Sequence, residues 1–182
     1  MNHIGCGTRL TIPFACSTWH APPTGPLSLL SWLTFRPLCI AAPMVRYSKL
    51  PFRALVRDYA VDLTFTPMLV AKEFTRSHAA RYTDFSTNAH DRPLIVQFAA
   101  KDAVTLARAA EMVYPYVDGV DLNCGCPQTW ACQEGIGAGL MKNPEAVRDM
   151  VRGVKARLGN EFCVSTKIRI HADLRYTSYG LK

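Results

Sequence analysis

The stretch Asp-Leu-Asn-Cys-Gly-Cys-Pro, residues 121 to 127, sets two cysteines one residue apart behind an asparagine. Three chemistries compete for such a pair: a metal site, a disulfide framework, or a catalytic thiol. The C-x-C spacing, with the next cysteine at 132, lacks the C-x₂-C pairs and histidine spacing of structural zinc sites, so no metal is expected. The seven cysteines are odd in number and irregularly spaced, and no plausible signal peptide precedes them. A reducing compartment follows, with the cytoplasm as the expectation and the mitochondrion and nucleus left open. Cys124 and Cys163 read equally well as small buried hydrophobes. Cys126 differs, because Gly125 and Pro127 make a tight turn where a strand would deliver the side chain to a site.

The elements that must deliver this turn alternate regularly. Residues 38–44 are a short apolar run ending at Pro43-Met44, and a helical pattern follows with Phe52, Leu55, Val56 and Tyr59 on one face. Residues 61–68 give a second strand, 73–85 a polar segment with helix, and 93–100 a third strand rich in β-branched residues. Asp102 can cap a helix whose Leu106, Ala107, Ala110 and Val113 recur at helical spacing. Residues 118–123 form a fourth strand. Asn143-Pro144-Glu145 combines cap, proline and first-turn acid, Val147, Met150, Val151, Val154 and Leu158 line one face, and Gly159 ends the helix. Residues 162–170 form a fifth strand.

Near-continuous apolar strands between helices require a parallel sheet covered by helices, as in a doubly wound sheet or a (β/α)₈ barrel. Each strand carries a special group at its C-terminal edge, namely Pro43-Met44, Pro67-Met68, Gln97, Asn123 and Lys167, and barrel enzymes build their sites on that edge. No GxGxxG follows the first strand. The expected fold class is therefore α/β, a partial (β/α)₈ TIM barrel of about the first five β/α units. Residues 1–37 read as a poorly ordered or divergent leader, 38–172 as the barrel domain, and 173–182 as a divergent tail. Arg36 and Pro37 interrupt the apolar run around them short of the ~20 residues a membrane span needs. The 21 Lys+Arg against 14 Asp+Glu, a net charge of +7, suit a polyanionic partner such as nucleic acid as well as an ordinary basic surface.

These residues carry a resemblance. "APMVRYS" at the first strand, "VQF" at the third, "DLNCGCPQTWACQEGIGAGL" at the fourth and "KIR" at the fifth resemble the tRNA-dihydrouridine synthases, most of all their eukaryotic type-4 branch. The likeness runs from about Cys39 to about Leu174. It implies an FMN-binding (β/α)₈ barrel that uses NADPH to reduce the C5=C6 bond of uridines in the D-loop of its tRNA partner. Cys126 matches the family's proton donor, and an ordinary thiol, with a pKa near ~8.5, holds its proton at neutral pH as such an acid must. By the same resemblance Lys167 stabilises charge on reduced flavin. Gln97 would meet the edge of the flavin ring, the backbone of Pro43, Met44 and Val45 would pass beneath it, and Asn123 would orient flavin or uracil. Arg169, on the strand face of Lys167, would meet substrate phosphate. His171 reads as a polar loop residue, and Lys72 and Glu73 as part of a substrate-facing loop.

After the fifth strand the chain reads "HADLRYTSYGLK". Strands six to eight, the family's later flavin-contacting histidine and its helical tRNA-binding domain would follow this point in relatives, so the chain is expected to be a fragment of the family's fold. Two other readings stay open: a catalytically inactive truncated form that at most binds RNA, and another FMN barrel acting on a free pyrimidine. The Gly-Cys-Pro turn disfavours the latter.

Overall fold

A computed structural model describes residues 37–170. The expected leader, apart from Pro37, lies outside these residues, as do His171 and the tail at 173–182.

The described chain opens with a two-residue strand, β1 (Ile40–Ala41), and helix α1 (Leu50–Arg57). Strand β2 (Leu63–Phe65) and a short β3 (Leu69–Val70) lead to α2 (Ala71–Arg76) and α3 (His78–Asp84). Then come β4 (Leu94–Ala99), α4 (Ala103–Val113), β5 (Gly119–Cys124) and α5 (Thr129–Gln133). A 3₁₀ segment (Gly137–Lys142) precedes α6 (Pro144–Leu158), and β6 (Cys163–Ile168) follows. All strand pairings are parallel, in the order β1-β2-β4-β5-β6, with β3 beside the end of β4. Apart from short β3, neighbours in sequence are neighbours in the sheet, as in a singly wound barrel and unlike a doubly wound sheet. The result is a curled, partial TIM-barrel sheet with helices outside.

The two caps legible in the sequence form as expected. The Asp102 carboxylate accepts from Thr105 N–H at 2.8 Å, and the Asn143 amide oxygen accepts from Ala146 N–H at 3.2 Å, each satisfying an otherwise orphaned donor of the first turn. Gly159, at φ 94°, closes α6 in a conformation that side chains disfavour.

The strand pleat sorts side chains into two cores. Leu94, Val96 and Phe98 of β4, with Val120, Leu122 and Cys124 of β5, pack outward against Leu106, Ala110 and Val113 of α4 and Met150 and Val154 of α6. Leu63, Phe65, Ile95 and Cys163 form a separate cluster on the inner face. One position further up that inner face the residues turn polar, and the candidate site begins there.

Helix α1 departs from its expected pattern. Leu55 and Tyr59 are 54% and 77% exposed, whereas Arg53 is 2% exposed. The buried stripe is set by an ion pair: Arg53 donates to Asp91 from Nε at 3.0 Å and from Nη2 at 2.6 Å. Nη1 bonds the Ser48 carbonyl at 2.6 Å, and Nη2 also bonds the Ser86 carbonyl at 2.7 Å. A buried guanidinium is tolerable when each of its nitrogens is engaged in this way.

Candidate functional site

Register brings the inner-face residues together. Gln97 of β4 stands opposite Asp121 of β5, and Asp121 opposite Ser165 of β6. One pleat closer to the C-terminal edge, Asn123 stands opposite Lys167. Gln97, Asp121 and Asn123 are buried, and Lys167 is half-buried.

These side chains form one hydrogen-bonded chain. Ser165 Oγ donates to Asp121 Oδ1 at 2.7 Å, and Gln97 Nε2 donates to Asp121 Oδ2 at 2.7 Å. Asn123 Nδ2 donates to Gln97 Oε1 at 2.9 Å. Asn123 Oδ1 then accepts from the backbone N–H groups of Gly125 at 3.0 Å and Cys126 at 2.8 Å, an Asx turn that bends the chain immediately after β5. Beneath the network, Thr66 Oγ1 accepts from Gln97 N–H at 3.1 Å. Burial pushes the Asp121 carboxyl up to about 6, with the Gln97 and Ser165 hydrogen bonds and the Lys167 charge opposing that rise. Lys167 has its own strand position for an anchor, and its ammonium forms no hydrogen bond among the described residues.

The two cysteines of the motif separate physically. Cys124 is the last residue of β5, points into the helix-facing core, and has its thiol pushed up to about 12 by burial and by the Asp121 charge, so it is an inert packing group. Cys126, two residues on, is half-buried at the mouth and packs on Ala99, Ala131 and Ile136. Gly137 lies directly against it at φ 61°, where a Cβ would come within 2.7 Å of the Cys126 carbonyl oxygen and 2.9 Å of its Cβ. Ala138 N–H donates to that carbonyl at 2.9 Å. Only glycine fits there. No disulfide links the described cysteines.

Arg169 is exposed and reaches back to the Gly125 carbonyl at 3.1 Å, so it flanks the Cys126 turn. The segment Pro43, Met44 and Val45 follows β1, at the far end of the strand order from β6. It is an ordered turn: Met44 N–H donates to Ser48 Oγ at 2.8 Å, and the Met44 carbonyl accepts from Tyr47 and Ser48 N–H groups at 3.2 and 3.1 Å. Met44 and Val45 are 39% and 54% exposed beside the mouth. Lys72 and Glu73 are exposed on α2, which follows β3. Of the expected residues, then, Gln97, Asn123 and Lys167 lie on the adjacent strands β4, β5 and β6, with Cys126 and Arg169 just past the ends of the last two. Asp121, Ser165, Thr66 and Gly137 were not among them. Asp121 carried a signal, since it sits two residues before Asn123 on the same strand face.

A cation, amides and a thiol at the C-terminal edge of a parallel sheet can together bind an anionic group and donate protons. The dihydrouridine synthase (Dus) family profile matches residues 40–179. A tRNA-dihydrouridine(20a/20b) synthase from Schizosaccharomyces pombe is 59% identical over 144 residues, covering 79% of this chain and 44% of the relative. A human protein named as tRNA-dihydrouridine(20a/20b) synthase-like is 57% identical over 139 residues, 76% of this chain and 44% of its own. A tRNA-dihydrouridine(16/17) synthase from Saccharomyces cerevisiae is 40% identical over 141 residues, 76% of this chain and 33% of its own. The chain thus spans less than half the length of these relatives. With its parallel barrel sheet and the Cys126 turn at the sheet's C-terminal edge, the chain belongs to the dihydrouridine synthase family.

Proposed function

We propose that residues 38–172 carry the acid side of an FMN-dependent tRNA-dihydrouridine synthase site, which reduces the C5=C6 bond of a D-loop uridine with NADPH as reductant. The observation that carries this reading is the Asx turn of Asn123: it fixes the turn that carries Cys126 just past the end of β5, while half-buried Lys167 of the neighbouring strand is in register with Asn123 itself.

The donor set fits a flavin. Lys167 would offer its cation to the charge of the reduced ring, the second N–H of the Gln97 amide would donate to it, and the ordered Met44 turn would help to hold it. When bound, FMN supplies the hydride for C6 of the uracil. Cys126 would give its thiol proton to C5, completing saturation of the bond. Asn123 fixes the turn from which that thiol acts. Ala99, Ala131 and Ile136 pack around Cys126 and keep water from its buried side. Arg169 at the rim meets phosphate of the tRNA, and the net charge of +7 favours approach of the polyanion. A site of this kind needs its thiol reduced, which places the protein in a reducing compartment, the cytoplasm in our reading.

The test is incubation of the purified chain with FMN, NADPH and tRNA lacking dihydrouridine, followed by nucleoside mass spectrometry. Flavin retention and new dihydrouridine are expected. The net charge of +7 also supports a second reading, an inactive form that binds RNA alone. Salt-sensitive tRNA binding with no flavin retained and no dihydrouridine formed would overturn the first reading in favour of the second.

A further inference from the structure

Asp121 has no assigned part in the chemistry above, yet it terminates the hydrogen-bonded chain under the site at 2% exposure. The chain has a direction. At one end the N–H groups of Gly125 and Cys126 can only donate, and at the other an ionised carboxylate can only accept. Two amides lie between, and each could be turned over by half a rotation. If Gln97 were reversed, its oxygen would face the Asp121 carboxylate and its NH₂ would face Asn123. Asn123 would then have to reverse too and present its NH₂ to two backbone N–H groups. The acceptor-only end forbids the first reversal and so prevents the second.

We propose that Asp121 is a positioning residue for Cys126, whose carboxylate sets the amide polarity of Gln97 and Asn123 and thereby holds the Gly125–Cys126 turn in place. The Ser165 hydroxyl, able to donate or accept, bonds the other carboxylate oxygen and does not set the direction. The catalytic meaning of this relay rests on Cys126 acting as the proton donor. Its test reads the thiol itself, so failure of the relay and failure of that function give different results.

Iodoacetamide labelling of the whole chain, read by peptide mass spectrometry, compares half-buried Cys126 with exposed Cys132 as reference, while buried Cys124 and Cys163 report on folding. Asp121→Leu is expected to speed labelling of Cys126 relative to Cys132 about tenfold, the opening expected when a buried hydrogen-bonded chain loses its acceptor. Asp121→Asn keeps an acceptor oxygen but also offers a donor, and recovers part of the protection. Ser165→Ala leaves the rate unchanged. The double variant Asp121→Asn with Asn123→Ala labels no faster than Asn123→Ala alone, because both act through one chain. Wild-type labelling in Asp121→Leu, or additive effects in the double variant, would overturn the proposal. Should Asp121→Leu expose Cys124 and Cys163 as well, Gln97→Met cuts the chain with the carboxylate in place; faster labelling confined to Cys126 then supports the relay, and a wild-type rate rejects it.

Discussion

Replacing Asp91 with alanine tests how this fold positions the Met44 turn. The Asp91 and Arg53 side chains are each 2% exposed and pair at 2.6 Å, with Thr87 Oγ1 donating to the same carboxylate at 3.1 Å. Arg57, 17% exposed, adds a longer contact at 3.5 Å. Alanine at 91 leaves the Arg53 charge buried with only the carbonyls of Ser48 and Ser86 as partners. Breaking a buried pair in this way costs about 3–5 kcal/mol. With a urea slope of roughly 2 kcal/mol per molar, a loss near 4 kcal/mol lowers the unfolding midpoint by roughly 2 M at unchanged slope. The double variant Arg53→Met with Asp91→Ala should lose less than the sum of the single losses, since no uncompensated charge remains. Ser48 accepts from Arg53 and braces the Met44 turn, so folded Asp91→Ala should also hold FMN more weakly. Urea unfolding followed by circular dichroism provides the assay. A loss below about 1 kcal/mol would mean that Arg53 finds water, and the reasoning on its burial would fail.

Three further outcomes are expected. Gly137→Ala places a methyl within 2.7 Å of the Cys126 carbonyl oxygen at φ 61°; uridine reduction should drop on the order of 100-fold by displacement of the thiol, with FMN still bound, as flavin fluorescence and dihydrouridine assays would show. Lys167→Ala should weaken FMN binding roughly 10-fold or more in a fluorescence titration, and an unchanged affinity would remove Lys167 from the cofactor site. Asp121 is raised from 3.8 to about 6 in the folded chain, so the native state binds the extra proton and its stabilising contribution, full below about pH 4, is lost as pH rises through about 6. Across that window wild type should lose roughly 3 kcal/mol relative to Asp121→Asn, measured by denaturant unfolding at several pH values; parallel curves would contradict the shift.

Much of the scaffold was legible because it is local. Helical spacing at Leu106, Ala110 and Val113 and the caps at Asp102 and Asn143 depend on neighbours a few residues away. The positions of Gln97, Asn123 and Lys167 near the C-terminal ends of β4, β5 and β6 were legible because motif and pleat agree. What the sequence hid is non-local. Nothing near Arg53 shows that its partner stands 38 residues away at Asp91, so an amphipathic reading turned α1 toward Leu55 and Tyr59. The strand β3, two residues long, has no periodicity to detect. The strand face of Asp121 was legible, but its hydrogen bonds to Gln97 and Ser165 come from two other strands and leave no local mark.

The proposed reaction depends on Cys126 as the acid for C5, and separating the two half-reactions of Cys126→Ala measures this most directly. FMN binding and its reduction by NADPH should match wild type, while transfer to tRNA uridine falls about 10²–10⁴-fold, the usual share of a general acid. Uridine reduction within a few-fold of wild type in that variant would show that the proton comes from elsewhere.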